Sequence, residues 1–276
     1  MTRFGYGTNG FSNHRLEDAL DVIAGLGYHG VALTLDHHHL DPFAPDLARR
    51  TAAVADRLRD LDLAVVVETG ARFLLDPRHK HAPTLLDDDP APRHEFLRLA
   101  IAVGADLGAQ AVSFWSGVPS PTLDNETGWD RLRRGTERVV EHAVRAGVVL
   151  GMEPEPGMLL EDVDGWRRLH RELGEPPALG ITLDVGHLRC LEDRTPPECV
   201  RLVGPHITNV QIDDMRRGVH EHLEFGTGEV DVPPVLRALR EVGYDGLVAV
   251  ELPRHSHAAP DVARRSLAFL READRP

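Results

Sequence analysis

A chain of 276 residues, 42% apolar and 27% charged, has the length and core-forming material for one α/β barrel or two smaller domains. Its formal net charge of −13 repels a nucleic-acid backbone, and no dense Lys/Arg run offsets this; lysine is almost absent. Two cysteines, Cys190 and Cys199, supply neither a disulfide framework nor a zinc-ribbon spacing. No apolar run is long enough to span a bilayer, and the opening MTRFGYGTNG lacks a basic-then-apolar signal region. The expectation is a cytoplasmic protein with no membrane and no nucleic-acid partner.

Short apolar runs alternate with stretches of helical period along the whole chain. Arg3–Tyr6 reads as a first strand, and a Gly- and Asn-rich turn leads to a helix at Leu16–Leu26, where Leu16, Leu20, Ile23 and Ala24 share a face. Val31–Leu35 follows as a strand, Leu47–Leu61 as a helix, and Ala64–Val67 as a third strand ending at Glu68. The stretch Thr69–Arg93 is too long for a simple connection. With RFLLDPRHKH and the acidic Asp87–Asp89 it reads as a functional loop. A helix at Glu95–Leu107, a strand at Ala111–Phe114 with Trp115 just beyond it, and a helix at Trp129–Ala146 come next.

The fifth strand, Val148–Met152, stops at Glu153, because Pro154 and Pro156 cannot continue a ladder. A helix at Val163–Leu173, a strand at Ile181–Leu183 ending in Asp184, a short helical piece at Pro196–Leu202 and a strand at Ile207–Ile212 follow. A helix at Val235–Val242, a strand at Leu247–Val250 ending in Glu251 and a helix at Ala263–Glu272 complete the pattern. Eight strands alternating with eight helical segments predict a single (β/α)₈ TIM barrel domain over residues 1–276. A doubly wound open sheet would need a glycine-rich phosphate fingerprint after the first strand, and Gly5, Gly7 and Gly10 do not match one.

In such a barrel all strand C-termini meet at one face, where sites are built. The polar groups expected there are Glu68, Trp115, Glu153, Asp184, Gln211 and Glu251. Converging carboxylates raise one another's pKa unless a cation compensates them, and oxygen donors suit hard ions such as Mn²⁺ or Mg²⁺. Nearby imidazoles widen the choice to Co²⁺, Fe²⁺ or Zn²⁺. The histidine groups His37–His39, His220/His222 and His255/His257 read as rim or loop residues, with one of His220 and His222 expected to line the pocket and one of Arg254, His255 and His257 to point into the mouth. Phe11 and Trp115 are expected to stack on a ring or to pack a loop. There is no nucleophile elbow, and neither cysteine sits in a motif.

GMEPEPG, LDVGH, NVQIDD, GTGEVD and GYDGLVAVEL, in this order, carry a resemblance to the xylose isomerase-like TIM barrel superfamily, and within it to the sugar phosphate isomerase/epimerase family. The resemblance implies that Glu153, Asp184 and Glu251 are metal ligands. It also implies that His187 contacts substrate, that Arg217 binds substrate oxygens, and that Glu68 holds a ligand or substrate-contact position. Gln211 stands where relatives usually carry histidine. The fourth ligand is therefore Gln211, a loop histidine (His220 or His222) or water.

The expected function is a divalent-metal-dependent isomerase or epimerase of a sugar, keto-sugar or cyclitol. Glu153 and Glu251 act as the acid–base pair, and Glu155, His187, His222, Trp115, Arg217 and Glu68 bind substrate. The alternatives are a dehydratase or lyase of the inosose dehydratase type, an apurinic endonuclease-like phosphodiesterase and a non-catalytic sugar-binding barrel. Without a Lys/Arg cluster in the linear sequence, a non-phosphorylated substrate is expected. A homo-oligomer is compatible with this reading.

Overall fold

The computed structural model describes residues 2–275. Seven strands come first: β1 (Arg3–Gly7), β2 (Gly30–Thr34), β3 (Ala64–Glu68), β4 (Val112–Trp115), β5 (Leu150–Glu153), β6 (Leu179–Asp184) and β7 (Ile207–Ile212). An antiparallel hairpin of β8 (Asp214–Arg216) and β9 (Val219–Leu223) separates these from β10 (Leu247–Val250). All but the hairpin pair in parallel and close a barrel in the order β1-β10-β7-β6-β5-β4-β3-β2, with β2 back on β1. The helices are α1 (Leu16–Leu26), α2 (Leu47–Asp60), α3 (Ala91–Leu107), α4 (Asn125–Ala146), α5 (Val163–Glu172), α6 (Val185–Leu191), α7 (Pro196–Val203), α8 (Val232–Glu241) and α9 (Ala259–Ala273). The expected (β/α)₈ barrel is the fold. No helix among the described residues is long and apolar enough to cross a membrane.

The strands are buried on both faces, as the Val- and Leu-rich runs require: every residue of β2 and of β6 is buried. The helices supply the outer layer. In α1, Leu16, Ala19, Leu20 and Ile23 face inward, and Gly27, in the left-handed conformation at φ 89°, ends the helix. Phe11 does not reach the mouth. It is wholly buried and meets Tyr6 edge to face at 5.4 Å, so it packs the core.

Helix α4 begins four residues before the expected start at Trp129. Asp124 caps it by accepting from the Thr127 amide at 2.9 Å, and the polar DNET carries no apolar period to announce that turn. Two further elements were not expected, and both shape the site. The Asp-Val-Gly-His run opens α6: Asp184 Oδ1 accepts from the His187 amide at 3.0 Å, so the Asp-x-x-His spacing is that of a cap and the third helical residue. The second is the hairpin β8–β9. Asp214 at its start accepts from the amides of Gly226 (2.8 Å), Gly228 (2.8 Å) and Val230 (2.9 Å), which folds the Gly-Thr-Gly-Glu-Val turn back onto it. A Cβ on Gly228 would lie 2.3 Å from Asp214 Oδ1, so the close approach needs glycine there. That motif is a structural clamp.

Candidate functional site

Each expected strand-end residue lies at the C-terminal end of its strand. Glu68, Trp115, Glu153 and Asp184 are the last residues of β3, β4, β5 and β6, and Glu251 follows β10 directly. Trp115 pairs in register with Glu153, and Asp184 with Gln211. Glu68, Trp115, Glu153, Gln211 and Glu251 line a cavity of about 410 Å³. Asp184 lies beneath it, 1% exposed. Oxygens of Glu153, Asp184 and Glu251 fall within 4.8 Å of one another.

This cluster is rich in acceptors and poor in donors. Asp184 Oδ2, Gln211 Oε1 and Glu251 Oε2 are buried without a hydrogen-bond partner among the described residues. Buried oxygens in that state are costly, and a cation is the group that satisfies several at once. The residues present therefore fit a divalent ion. The donors that reach these carboxylates are the His187 amide, on Asp184 Oδ1 at 3.0 Å, and two carboxamides: Asn9 Nδ2 to Glu251 Oε1 at 2.9 Å and Asn209 Nδ2 to Glu68 Oε1 at 2.9 Å.

The charges respond as buried like charges must. Burial, and then the charges of Glu155, Glu251, Glu68 and Asp184, push Glu153 well above the usual carboxylate range. Burial lifts Glu68 to about 8, with Glu251 adding to it. Glu251 rises to about 7, again mainly by burial, with His222 opposing the rise and Asp184 reinforcing it. Asp184 is the exception. Burial would raise it, but His187, His222 and the His187 amide outweigh burial and hold its carboxyl below the usual value.

A second donor group stands beside the first. His187 Nδ1 sits 3.2 Å from the Pro154 carbonyl, which assigns its proton to that nitrogen and leaves Nε2 facing His220 Nε2 at 3.1 Å. Burial pulls both imidazoles down to about 4, so they are neutral. His222 behaves oppositely. Burial would lower it, but Asp213 Oδ2, 2.6 Å from its Nδ1, outweighs this and pushes it up to about 10. Nitrogens of His187, His220 and His222 lie within 4.8 Å of one another. Both loop histidines line the cavity, where one was expected. Glu155 lies further out, 3.7 Å from His220 and 3.8 Å from His187.

Other expected residues end up elsewhere. The hairpin turns Arg217 outward, where its guanidinium donates to the Glu192 carbonyl and, at 2.8 Å, to Asp193; it is not brought to the cavity. His37, His38, His39 and Arg254 line the mouth, whereas His255 and His257 do not. Sequence reasoning missed Asn9, Asn209 and Asp213. Asn209 was findable, since it lies two residues before Gln211 on the same strand face. Asp213 also explains a glycine, because a Cβ on Gly186 would lie 2.0 Å from its Oδ1.

Residues 20–273 match the family model for the xylose isomerase-like TIM barrel. Over 193 residues the chain is 30% identical to L-ribulose-5-phosphate 3-epimerase UlaE of Shigella flexneri, an alignment covering 68% of this chain and 66% of that one. The crystal structure of D-allulose 3-epimerase from Methylomonas sp. in complex with D-allulose superposes with a TM-score of 0.77 at 20% identity, covering 99% of this chain and 97% of the other. The crystal structure of IolI protein with a zinc atom superposes with a TM-score of 0.79 at 16% identity, covering 99% and 98%. These two likenesses establish the shared architecture. By the family match over nearly its whole length, the chain belongs to the xylose isomerase-like TIM barrel family.

Proposed function

We propose that the protein is a divalent-metal-dependent isomerase or epimerase of a sugar, keto-sugar or cyclitol, working by proton transfer beside a carbonyl. The observation that carries this reading is the cluster of Glu153, Asp184 and Glu251, with oxygens within 4.8 Å of one another and acceptors left without donors. The named activities of the relatives, a ribulose-phosphate 3-epimerase and an allulose 3-epimerase, support the same class. The zinc in the IolI structure supports a metal in this architecture.

Glu153, Asp184, Gln211 and Glu251 would hold the ion. The oxygen donors favour Mn²⁺ or Mg²⁺, and the three imidazoles admit Co²⁺, Fe²⁺ or Zn²⁺. When bound, the ion supplies Lewis-acid stabilisation of a developing oxyanion and compensates the carboxylates.

The remaining work falls to the chain. Glu153 and Glu251 enter the cluster from β5 and from the end of β10, so two carboxyls from separate strands are available to the reacting carbon. One removes its proton and the other returns one. Burial and neighbouring carboxylates raise the proton affinity of both groups in the metal-free fold, and a bound ion would offset that rise. Asn9 positions Glu251. Neutral His187, held through Nδ1 by the Pro154 carbonyl, meets His220 through its other nitrogen, and His220, which lines the cavity, presents that pair to a substrate hydroxyl. Trp115 forms a flat wall, and Glu155, His222 and Glu68 bind hydroxyl groups around it.

The test is solvent exchange. Metal-loaded protein incubated in D₂O with a panel of ketoses, keto-cyclitols, their phosphate esters and keto-sugar acids should place deuterium next to the carbonyl, with stoichiometric metal found by elemental analysis. Bound metal with no exchange across the panel would overturn the assignment.

A further inference from the structure

We propose that Arg72 and Lys80 form an anion subsite at the cavity mouth, so that the substrate carries a phosphate ester or a carboxylate at the end remote from the reacting carbon. This rests on the isomerase/epimerase reading of the same cavity and names the class of sugar it takes.

Lys80 is the single lysine of the chain; the other thirty of its 31 basic residues are arginines. That lysine lines the cavity, as does Arg72. Other mouth cations are already paired: Arg254 meets Glu221 at 3.0 Å. Among the described residues, neither Arg72 nor Lys80 has a carboxylate oxygen within 4.0 Å. Two unpaired cations therefore face a cavity whose floor is carboxylate.

Their placement is built into the loop. The His81 amide donates to the Arg72 carbonyl at 2.6 Å, closing the segment between them so that Arg72 and Lys80 project from one base. Arg93 fixes that base. It is 3% exposed, donates to the Pro83 carbonyl at 3.0 Å and the His81 carbonyl at 2.8 Å, and lies 4.4 Å from the centre of the Trp115 ring. The His81 ring rests on the same tryptophan at 5.0 Å. A buried guanidinium given to two carbonyls in place of a carboxylate is an expensive way to hold a loop. It keeps the local charge positive. His81 registers that charge: burial, then Lys80, Arg93 and Arg72, pull its imidazole down to about 3.

The cavity is thus polarised, with proton-transfer carboxylates below and free cations above. A neutral sugar has nothing to offer the upper end, whereas a terminal anion satisfies it. An ammonium and a guanidinium lining one cavity mouth suit phosphate or carboxylate oxygens. The linear sequence hid the pair, because eight positions separate Arg72 from Lys80 and only loop closure joins them.

Two measurements test the proposal. Exchange in D₂O is compared for a neutral ketopentose, its terminal phosphate ester and a keto-sugar acid. One of the anionic sugars should show about tenfold or higher kcat/KM than the neutral one, equivalent to one charge-assisted contact. Whichever anion is preferred identifies the group. The preference should shrink between about 50 mM and about 500 mM salt, and Lys80→Met or Arg72→Met should reduce it about tenfold through KM. Independently, N-hydroxysuccinimidyl acetate labels Lys80 as the only lysine, read by mass spectrometry with the α-amine as internal control. The phosphate ester should slow labelling of Lys80 and leave the α-amine unaffected. Equal exchange of neutral and anionic sugars without protection of Lys80 overturns the subsite and leaves the isomerase/epimerase reading intact. Protection of Lys80 without exchange of any sugar supports the subsite and sinks that reading.

Discussion

The floor and the rim of the cavity handle charge in opposite ways. On the floor, Glu153, Asp184 and Gln211 sit buried on strands with half-buried Glu251 just beyond one, rich in acceptors and short of donors. On the rim, Arg72 and Lys80 stand on the β3–α3 loop, exposed and short of acceptors. Barrel strands hold groups rigidly in a low-dielectric setting where charges interact strongly, which suits proton transfer and ion binding. A loop tied down at its base reaches outward, which suits recognition of a variable end. Chemistry and selectivity are therefore separable, and variants should affect one without the other.

The largest effect is expected on the floor. Glu153→Gln and Glu251→Gln should each lower the rate of solvent deuterium exchange by about 10³-fold or more, measured by NMR, without lowering the melting temperature. Full exchange in both variants would show that the floor is not the acid–base site.

The second effect is a dependence of stability on pH and metal. Glu68 and Glu251, at about 8 and about 7 in the metal-free fold, lie above the ordinary carboxylate value of 4.5, so the folded state binds more protons than the unfolded chain between those limits. Their contribution is complete below about pH 4.5 and is lost as pH rises through 7 to 8. Metal-free protein should melt at a lower temperature at pH 8.5 than at pH 5.5. Mn²⁺ or Mg²⁺ should remove most of the difference, and at a hundredfold excess over its dissociation constant an ion adds about 2.7 kcal/mol. Unchanged melting across pH and metal would contradict the floor as described.

Outside both regions, Asp214→Ala removes the acceptor of three amides that close the Gly-Thr-Gly turn. A loss of about 1–2 kcal/mol in urea unfolding is expected, since three half-buried amides lose a charged acceptor and are left to water. The smallest effect belongs to Arg217→Ala. With its guanidinium engaged by Glu192 and Asp193, KM should change by no more than about threefold. A large rise in KM would bring Arg217 back into the cavity.

Much of the floor was legible because a β/α repeat carries its own geometry. Once eight strands were counted, their last residues had to share one face, which singled out Glu153, Asp184, Gln211 and Glu251 without knowledge of any contact. The hairpin was not legible, because β8 and β9 are held by Asp214 reaching amides twelve and more residues later. Nor was the pairing of Asp213 with His222 or of Asn9 with Glu251, each a side-chain contact between distant segments. Arg217 misled for the same reason: its sequence position follows β7, but the hairpin turns it away from the mouth.

What the amino-acid sequence by itself determined was the periodic part: strand and helix order, the closed parallel barrel, and which carboxylates end the strands. Local hydrophobic pattern and the handedness of β-α units suffice for these. The tertiary structure alone decided which of those groups lack a donor, which histidine meets a buried carboxyl, and that the single lysine and Arg72 share one loop base above them. Each depends on distance and burial between residues far apart in the chain, which no local pattern encodes.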